Sequence, residues 1–223
     1  MERVPEPELM DEAEQVRAYA EADFAVPHER FVDLYRECFP GHDPRGWVLD
    51  LGCGPGDVSR RFARAFPGCR IHGVDGAPAM LQEGARLLRG SPEEDRIRLH
   101  HCRLPGDPLP REDYAAVISN SLLHHLHDPR VLWDAVRAAA RPGVPVFVMD
   151  LMRPESRDEA RGMMETYAAG EPEVLREDFY NSLLAAFTPG EVAAQLREAG
   201  LADLRVQAVS DRHLIAWGRP GPG

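Results

Sequence analysis

Short apolar stretches alternate with amphipathic stretches through the middle of the chain. Five of the apolar stretches are strand-like, at residues 47–51, 70–74, 97–101, 115–119 and 144–150. Three stretches between them space their apolar residues as helices do, at residues 57–65, 78–88 and 129–140. Because the strand-like stretches are too apolar for burial on one side only, the alternation predicts a parallel sheet covered by helices on both faces.

The last fifth of the chain has a different pattern. Thr188, Pro189 and Glu191 stand in the order of a capping box with proline in the first turn, which predicts a helix ending near Ala199. Two strand-like stretches follow at residues 203–209 and 212–217. They predict an antiparallel hairpin that closes one edge of the sheet.

Two regions lie outside this alternation, yet the length of 223 residues suits one domain. We expect a single domain over residues 1–223, divided into an N-terminal helical cap (1–40), a core (45–150), a helical lid insertion (151–187) and a closing helix with a hairpin (188–218). Lids of this kind commonly lie beside the ligand site of open α/β sheets.

Composition excludes several classes of protein. The formal net charge is -11 and no basic stripe is present, so nucleic acid is a disfavoured partner. No apolar run approaches the roughly 20 residues of a membrane span, and the first residues lack the apolar segment of a secretory signal. Four scattered cysteines without a CxxC pair fit reduced thiols. We therefore expect a cytoplasmic protein without membrane contact.

The stretch VLDLGCGPG at residues 48–56 is the most informative part of the chain, because a strand, a glycine turn and a helix follow in that order. Three of its residues are glycines at alternate positions: Gly52, Gly54 and Gly56. The dinucleotide fingerprint requires a further glycine where Asp57 stands, which disfavours a nicotinamide-dependent oxidoreductase. Asp50 would repel a diphosphate and attract a cationic amino group. Cys53 is interpreted as a small residue filling the turn.

A second acidic residue, Asp75, stands at the end of the second predicted strand, nineteen residues after Gly56. A carboxylate at this place can accept hydrogen bonds from both hydroxyls of a ribose. The alternative is a capping role for the helix that begins near Pro78.

Three motifs together, VLDLGCGPG, GVDGAPAML and YAAVISNSLLHHL, resemble those of class I S-adenosylmethionine-dependent methyltransferases. The resemblance covers residues 45–150 and the closing helix and hairpin. It implies an α/β, Rossmann-like sheet of seven strands in the order 3-2-1-4-5-7-6, with strand 7 antiparallel. It also implies S-adenosyl-L-methionine as the cofactor, lying across the carboxyl ends of strands 1 and 2.

The resemblance also implies a set of cofactor-binding residues. Asp50 would meet the methionine amino group, Asp75 the ribose, and Tyr19 the methionine carboxylate, although an aromatic residue on a helix is as readily a core residue. The acidic residue that often contacts the adenine after strand 3 is missing, and Arg103 and Leu104 stand there instead. The complete set is Tyr19, Asp50, Gly52, Cys53, Gly54, Gly56, Asp75, Gly76, Met80, Arg103, Leu104 and Asn120.

Two residues after strand 4 are candidates for the transfer itself. Asn120 would face the sulfonium and the acceptor, unless it serves only the local turn. His124 would act as a general base or would shape the pocket. His124, His125 and His127 have no partner cluster with ligand spacing in the sequence, so we expect no metal.

These features predict an enzyme that transfers a methyl group to a small-molecule acceptor by in-line SN2 displacement, as a monomer or homodimer. Three alternatives stay open at this point. One is a methyltransferase acting on RNA, and another is a methyltransferase acting on protein. The third is a non-catalytic regulatory module that binds S-adenosylmethionine.

Overall fold

One twisted sheet organises the computed structural model, which describes residues 1–9, 13–22 and 24–222. Its seven strands are β1 (Gly46–Leu51), β2 (Cys69–Asp75), β3 (Ile97–His101), β4 (Ala116–Asn120), β5 (Val146–Leu151), β6 (Arg205–Ala208) and β7 (His213–Gly218). Their order is β3-β2-β1-β4-β5-β7-β6, and β7 runs antiparallel to both of its neighbours. The predicted order and the antiparallel seventh strand are confirmed.

Helices cover both faces of the sheet, as the apolar strands required. They are α1 (Ala13–Glu21), α2 (Ala25–Cys38), α3 (Asp57–Ala65), α4 (Pro78–Leu88), α5 (Arg130–Ala139), α6 (Arg157–Tyr167), α7 (Glu173–Ala185) and α8 (Pro189–Glu198). On one face, Tyr35 of α2 packs edge-on against Phe62 of α3 and Phe147 of β5, and all three are fully buried. On the other face, the buried Trp133 of α5 donates a hydrogen bond to Gln195 of α8.

Most predicted elements are present with small shifts at their ends. The capping box of α8 is confirmed, with Thr188 accepting from the backbone of Glu191 and Glu191 accepting from the backbone of Thr188. Helix α5 begins at Arg130 rather than at Pro129, and the Asp128 carboxylate accepts from the Arg130 backbone. The first hairpin strand is shorter than predicted, because only residues 205–208 pair with β7, and the second is shifted by one residue.

The two regions outside the alternation meet at the carboxyl edge of the sheet. Helices α1 and α2 precede β1, and α6 and α7 lie between β5 and α8, as predicted. Residues 1–9, here called the N-terminal strap, run beside α7, where Val4 donates a backbone hydrogen bond to Leu184. The Arg3 guanidinium donates to the carbonyl oxygens of His124 and Leu126, which follow β4. Among the residues that the structure describes, no helix is long and apolar enough to cross a membrane.

Candidate active site

A cavity of about 260 Å³ opens where the parallel strands β1, β2 and β4 end. Its floor is the glycine loop between β1 and α3, and its walls come from β2, α4 and the segment after β3. Glu8 and Leu9 of the N-terminal strap also line it, together with residues of α1 and α2. The cavity therefore lies at the switch point of the sheet, where open α/β folds bind their ligands.

The glycine loop approaches its surroundings closely at one position and leaves space at another. Gly52 has φ +70°, and a Cβ there would lie 2.8 Å from Cβ of Leu122. Gly54 has φ +52°, but nothing lies within 4 Å of the position of its Cβ, and the residue lines the cavity. Only glycine adopts such conformations without strain. The loop thus offers backbone, and free space above it, to a ligand.

Gly56, which was predicted to bind the cofactor, is not among the residues that line the cavity. It stands at the N-cap of α3 with φ +83°, and its role is to turn the chain into that helix. The glycine is needed there because other residues rarely adopt this conformation.

Asp50 is a buried acid at the end of β1 and has 1% of its surface exposed. Its carboxyl accepts a hydrogen bond of 2.5 Å from the hydroxyl of Ser59 on α3. Burial raises the pKa of Asp50 to about 7, although the hydrogen bond from Ser59 opposes this rise. A carboxyl group with one neutral partner and a place in the cavity wall favours a cation as ligand.

Asp75 holds the glycine loop and the start of α4 together from the end of β2. One carboxylate oxygen accepts from the backbone N–H of Gly54, and the other accepts from that of Ala77, both at 2.8 Å. Asp75 therefore supports the turn before α4, and it also lines the cavity.

The structure brings together most of the residues predicted for the cofactor. The cavity is lined by Tyr19, Asp50, Gly52, Cys53, Gly54, Asp75, Gly76, Met80, Arg103, Leu104 and Asn120. Ala77 and Met80 at the start of α4 form an apolar part of the wall. The Cys53 thiol is buried, and burial raises its pKa well above the usual value, so Cys53 is a space-filling residue and not a thiolate.

Tyr19 of α1 contributes an aromatic hydroxyl to the cavity wall. Its ring lies 4.8 Å from the ring of Phe24, between centroids. Burial and the nearby carboxylates Asp57 and Asp75 raise the pKa of Tyr19 to about 12. The hydroxyl therefore keeps its proton at neutral pH and can donate a hydrogen bond to an anionic group.

A hydrogen-bonded pair that the sequence did not indicate lies beside this aromatic wall. His28 of α2 and Asp57 of α3 both line the cavity, and their side chains are 2.7 Å apart. Burial raises the pKa of Asp57, but hydrogen bonds from His28 and Arg61 outweigh it and lower the pKa to about 2. The pair ties α2 to the first turn of α3, where a carboxylate is also favoured by the helix dipole. No local signal in the sequence indicates a contact between residues so far apart.

The end of β4 and the turn after it supply polar groups to the cavity. Asn120 donates a hydrogen bond of 3.1 Å to the hydroxyl of Ser121. The backbone of Ser121 has the unusual φ of +56°. Both residues line the cavity. Asn120 can thus support the local turn and still contact a ligand in the cavity.

The histidines after β4 are arranged differently from the prediction. His125 lines the cavity, whereas His124, the residue predicted to act as a base or to shape the pocket, is 3% exposed and is not among the lining residues. Its Nδ1 is 2.5 Å from a carboxylate oxygen of Asp150 at the end of β5. Burial lowers the pKa of His124, but the charge and hydrogen bond of Asp150 outweigh it and raise the pKa. His124 is therefore a partner of Asp150 rather than a free base facing a substrate.

Comparison with known proteins gives a consistent result. A family model described as a methyltransferase domain matches residues 48–143. An uncharacterised methyltransferase of Mycobacterium tuberculosis is 26% identical over 177 residues, which are 78% of this chain and 87% of that protein. The ubiquinone biosynthesis O-methyltransferase of Xylella fastidiosa is 30% identical over 180 residues, which are 76% of this chain and 65% of that protein.

Solved structures show the same fold at low sequence identity. The plantazolicin methyltransferase BpumL, in complex with a desmethylPZN analog and SAH, has a TM-score of 0.68 at 13% identity. The match covers 94% of this chain and 91% of that one. The family model over residues 48–143 and the shared fold support a family of S-adenosylmethionine-dependent methyltransferases. The protein is an enzyme that uses S-adenosylmethionine as cofactor.

The cavity fits this cofactor. The space above Gly54, which a Cβ would begin to fill, and the buried acid Asp50 suit a ligand with a cationic end that approaches the backbone closely. Asp50 would hold the amino group, Asp75 the ribose hydroxyls, and Ala77 and Met80 would pack on the adenine. When bound, the cofactor supplies a methyl group that its sulfonium has already activated for transfer. The protein residues bind and orient the reactants and exclude water.

Proposed function

We propose that the protein transfers the methyl group of S-adenosylmethionine to a small-molecule acceptor by in-line SN2 displacement. The observation that carries this proposal is the cover over the cavity. Glu8 and Leu9 of the N-terminal strap line the cavity from one side, and Tyr19 and Phe24 line it from the helical cap. A macromolecular acceptor would have to displace this cover, whereas a small molecule fits beneath it.

Charge and the named relatives support the same proposal. The net charge of -11 opposes binding to nucleic acid, which reduces the case for RNA as acceptor. One relative is named for an O-methylation in ubiquinone biosynthesis, and another, from Halorhodospira halophila, is named a malonyl-[acyl-carrier protein] O-methyltransferase. An acceptor oxygen on a small organic molecule is consistent with both names.

We assign roles to the residues as follows. Asn120 lies at the carboxyl end of β4 and would contact the reacting groups, while Tyr19 would donate to the methionine carboxylate. His124 holds the turn after β4 through Asp150 and is not proposed as a base. Transfer needs a base only when the acceptor must lose a proton, and methyl transfer otherwise depends on alignment.

We further propose one domain over residues 1–223, in which the N-terminal cap and the insertion at 151–187 form the acceptor pocket. The strap supports this arrangement, because Arg3 also donates to the carbonyl oxygen of Ala185 at the end of the insertion. The four free cysteines support a cytoplasmic location, where thiols stay reduced. A monomer or a homodimer would be compatible with a cavity built from one chain.

An assay for S-adenosylhomocysteine, the product that methyl transfer leaves, tests the acceptor class on the purified protein. The protein is incubated with S-adenosylmethionine and separate panels of phenols, carboxylic acids, amines and thiols, with tRNA and a protein extract as further arms. We expect turnover with a member of the small-molecule panels. Turnover only with tRNA or protein, or cofactor binding without turnover in any arm, would contradict the proposal and favour one of the other functions.

Matched carboxylate variants test whether Asp75 binds the cofactor. Asp75→Asn removes charge-assisted hydrogen bonds of about 1.5–3 kcal/mol, so we expect S-adenosylmethionine to bind roughly 10- to 100-fold more weakly. Asp158→Asn changes an exposed residue in the first turn of α6 and serves as the control. Calorimetry measures both constants, and an equal affinity in the two variants would contradict the role of Asp75.

A further inference from the structure

Three potential ligand atoms converge where the N-terminal strap meets the turn after β4. They are Nε2 of His124, Nδ1 of His125 and a carboxylate oxygen of Glu6, and they lie within 4.8 Å of one another. The Glu6 oxygen is 3.6 Å from the His124 nitrogen and 3.1 Å from the His125 nitrogen. The side chains are 3%, 15% and 10% exposed for His124, His125 and Glu6, so the group is largely shielded from water.

Hydrogen bonds do not account for this convergence. Nδ1 of His125 is buried and makes no hydrogen bond within the part of the chain that the structure describes, although it lies 3.1 Å from the Glu6 oxygen. A separation of 3.6 Å between His124 and Glu6 is also too long for a hydrogen bond. Glu6 instead accepts from the hydroxyl of Ser182 on α7. Three atoms that can act as metal ligands thus lie close together, and no hydrogen bond joins them within the described residues.

The hydrogen bonds of both imidazoles leave one nitrogen of each ring available to an ion. His124 uses Nδ1 for Asp150, so Nε2 carries the lone pair when the ring is neutral. His125 hydrogen-bonds to the backbone of Pro7, and since proline has no N–H, the ring must be the donor. With Nδ1 of His125 unpartnered, Nε2 is the donating nitrogen. Nδ1 of His125 then also carries a lone pair that can bind an ion.

The distances suit a divalent transition metal ion. In a tetrahedral site with bonds of about 2.1 Å, ligand atoms are roughly 3.4 Å apart. The distances from the Glu6 oxygen to the His124 and His125 nitrogens, 3.6 Å and 3.1 Å, lie on either side of that value. Asp150 behind His124 completes the carboxylate–histidine–metal arrangement that fixes ring orientation in zinc sites. Two imidazoles and a carboxylate are the ligands that ions of the zinc class prefer.

We propose that Glu6, His124 and His125 form a binding site for one divalent transition metal ion of the zinc class. The ion would join the N-terminal strap to the turn after β4 and so fix the cover of the cavity. No metal was expected from the sequence alone, because the adjacent histidines have no third ligand nearby along the chain. The fold supplies that ligand from a segment more than 110 residues away.

Metal binding to tag-free, chelator-treated protein tests the proposal, with Zn²⁺ followed by calorimetry and Co²⁺ by its absorption spectrum. We expect one ion per chain and a Co²⁺ spectrum of tetrahedral type. Glu6→Gln and His125→Asn remove ligands and should each weaken binding by more than about 100-fold, while Asp150→Asn should weaken it roughly 10- to 100-fold. Zn²⁺ should raise the Tm of the wild type but not that of Glu6→Gln.

Two control variants keep the test specific. Glu8→Gln changes another acid of the strap, and His101→Gln changes an exposed histidine at the end of β3, so both should bind Zn²⁺ as the wild type does. Circular dichroism confirms that each variant is folded. The absence of a bound ion in the wild type would overturn the proposal, and so would equal affinities in the wild type, Glu6→Gln and His125→Asn. Neither readout depends on methyl transfer.

Discussion

Replacement of Gly52 by alanine tests how closely the glycine loop packs against the turn after β4. An alanine at φ +70° costs roughly 1–2 kcal/mol for the left-handed conformation. Its Cβ would also lie 2.8–2.9 Å from three atoms of Leu122, and such overpacking costs about 1–3 kcal/mol. We therefore expect Gly52→Ala to lower the free energy of unfolding by about 2–5 kcal/mol.

Gly54→Ala is the matched control, because it has the same left-handed cost but no atom within 4 Å of the new Cβ. It should lose roughly 1–2 kcal/mol of stability. Its methyl group projects into the cavity, so it should weaken cofactor binding by more than its effect on stability indicates. Urea unfolding followed by tryptophan fluorescence measures stability, and calorimetry measures binding. Equal stability losses in the two variants would refute the close approach of Leu122.

Three further predictions concern pH, capping and the core. The free energy of unfolding should fall as the pH rises from about 4 to 7, because the folded protein keeps the Asp50 proton, whereas Asp50 in the unfolded chain has a pKa near 3.8 and releases it. Urea unfolding across this range should show a smaller change of the free energy of unfolding with pH in Asp50→Asn. Thr188→Ala should lose about 1 kcal/mol in thermal or urea unfolding with the capping box of α8, while the exposed control Thr166→Ala should change stability by less than about 0.5 kcal/mol. Phe62→Ala should lower the free energy of unfolding by about 3–5 kcal/mol in the same experiments, since Phe62 of α3 is fully buried against Tyr35 of α2. A loss below about 1 kcal/mol would contradict that packing.

The parts of the fold that depend on local order could be predicted from the sequence. The strand, glycine turn and helix at Asp50 and Gly54 follow one another directly, so the cavity floor is encoded in about ten residues. Asp75 was predictable for the same reason, because it ends the next strand. The capping box at Thr188 is likewise local, and it fixed the start of α8 correctly.

The parts that depend on distant contacts could not be predicted. The strap reaches the turn after β4 across more than 100 residues, as the bond from His127 to Glu8 shows, and no periodicity indicates that approach. The same holds for the pair of His28 and Asp57. His124 and His125 are adjacent, and the 3₁₀ turn Leu123–His125 decides which ring lines the cavity, a rotation that the sequence pattern does not contain.

Calorimetric titration with S-adenosylmethionine tests most directly whether the cavity with Asp50 in its wall is the cofactor site. The titration is run at pH 6 and pH 8, each in two buffers of different ionisation enthalpy. We predict one site per chain, with nearly one proton released at pH 6, because Asp50 with its pKa of about 7 ionises when it meets a cationic amino group. At pH 8 Asp50 is already ionised, and the amino group, with an ordinary pKa of about 7.7–8.0, takes up a proton on binding instead. In Asp50→Asn the proton release should disappear and the affinity should fall. Absence of binding to the wild type, or the same affinity and proton release in Asp50→Asn, would contradict this account.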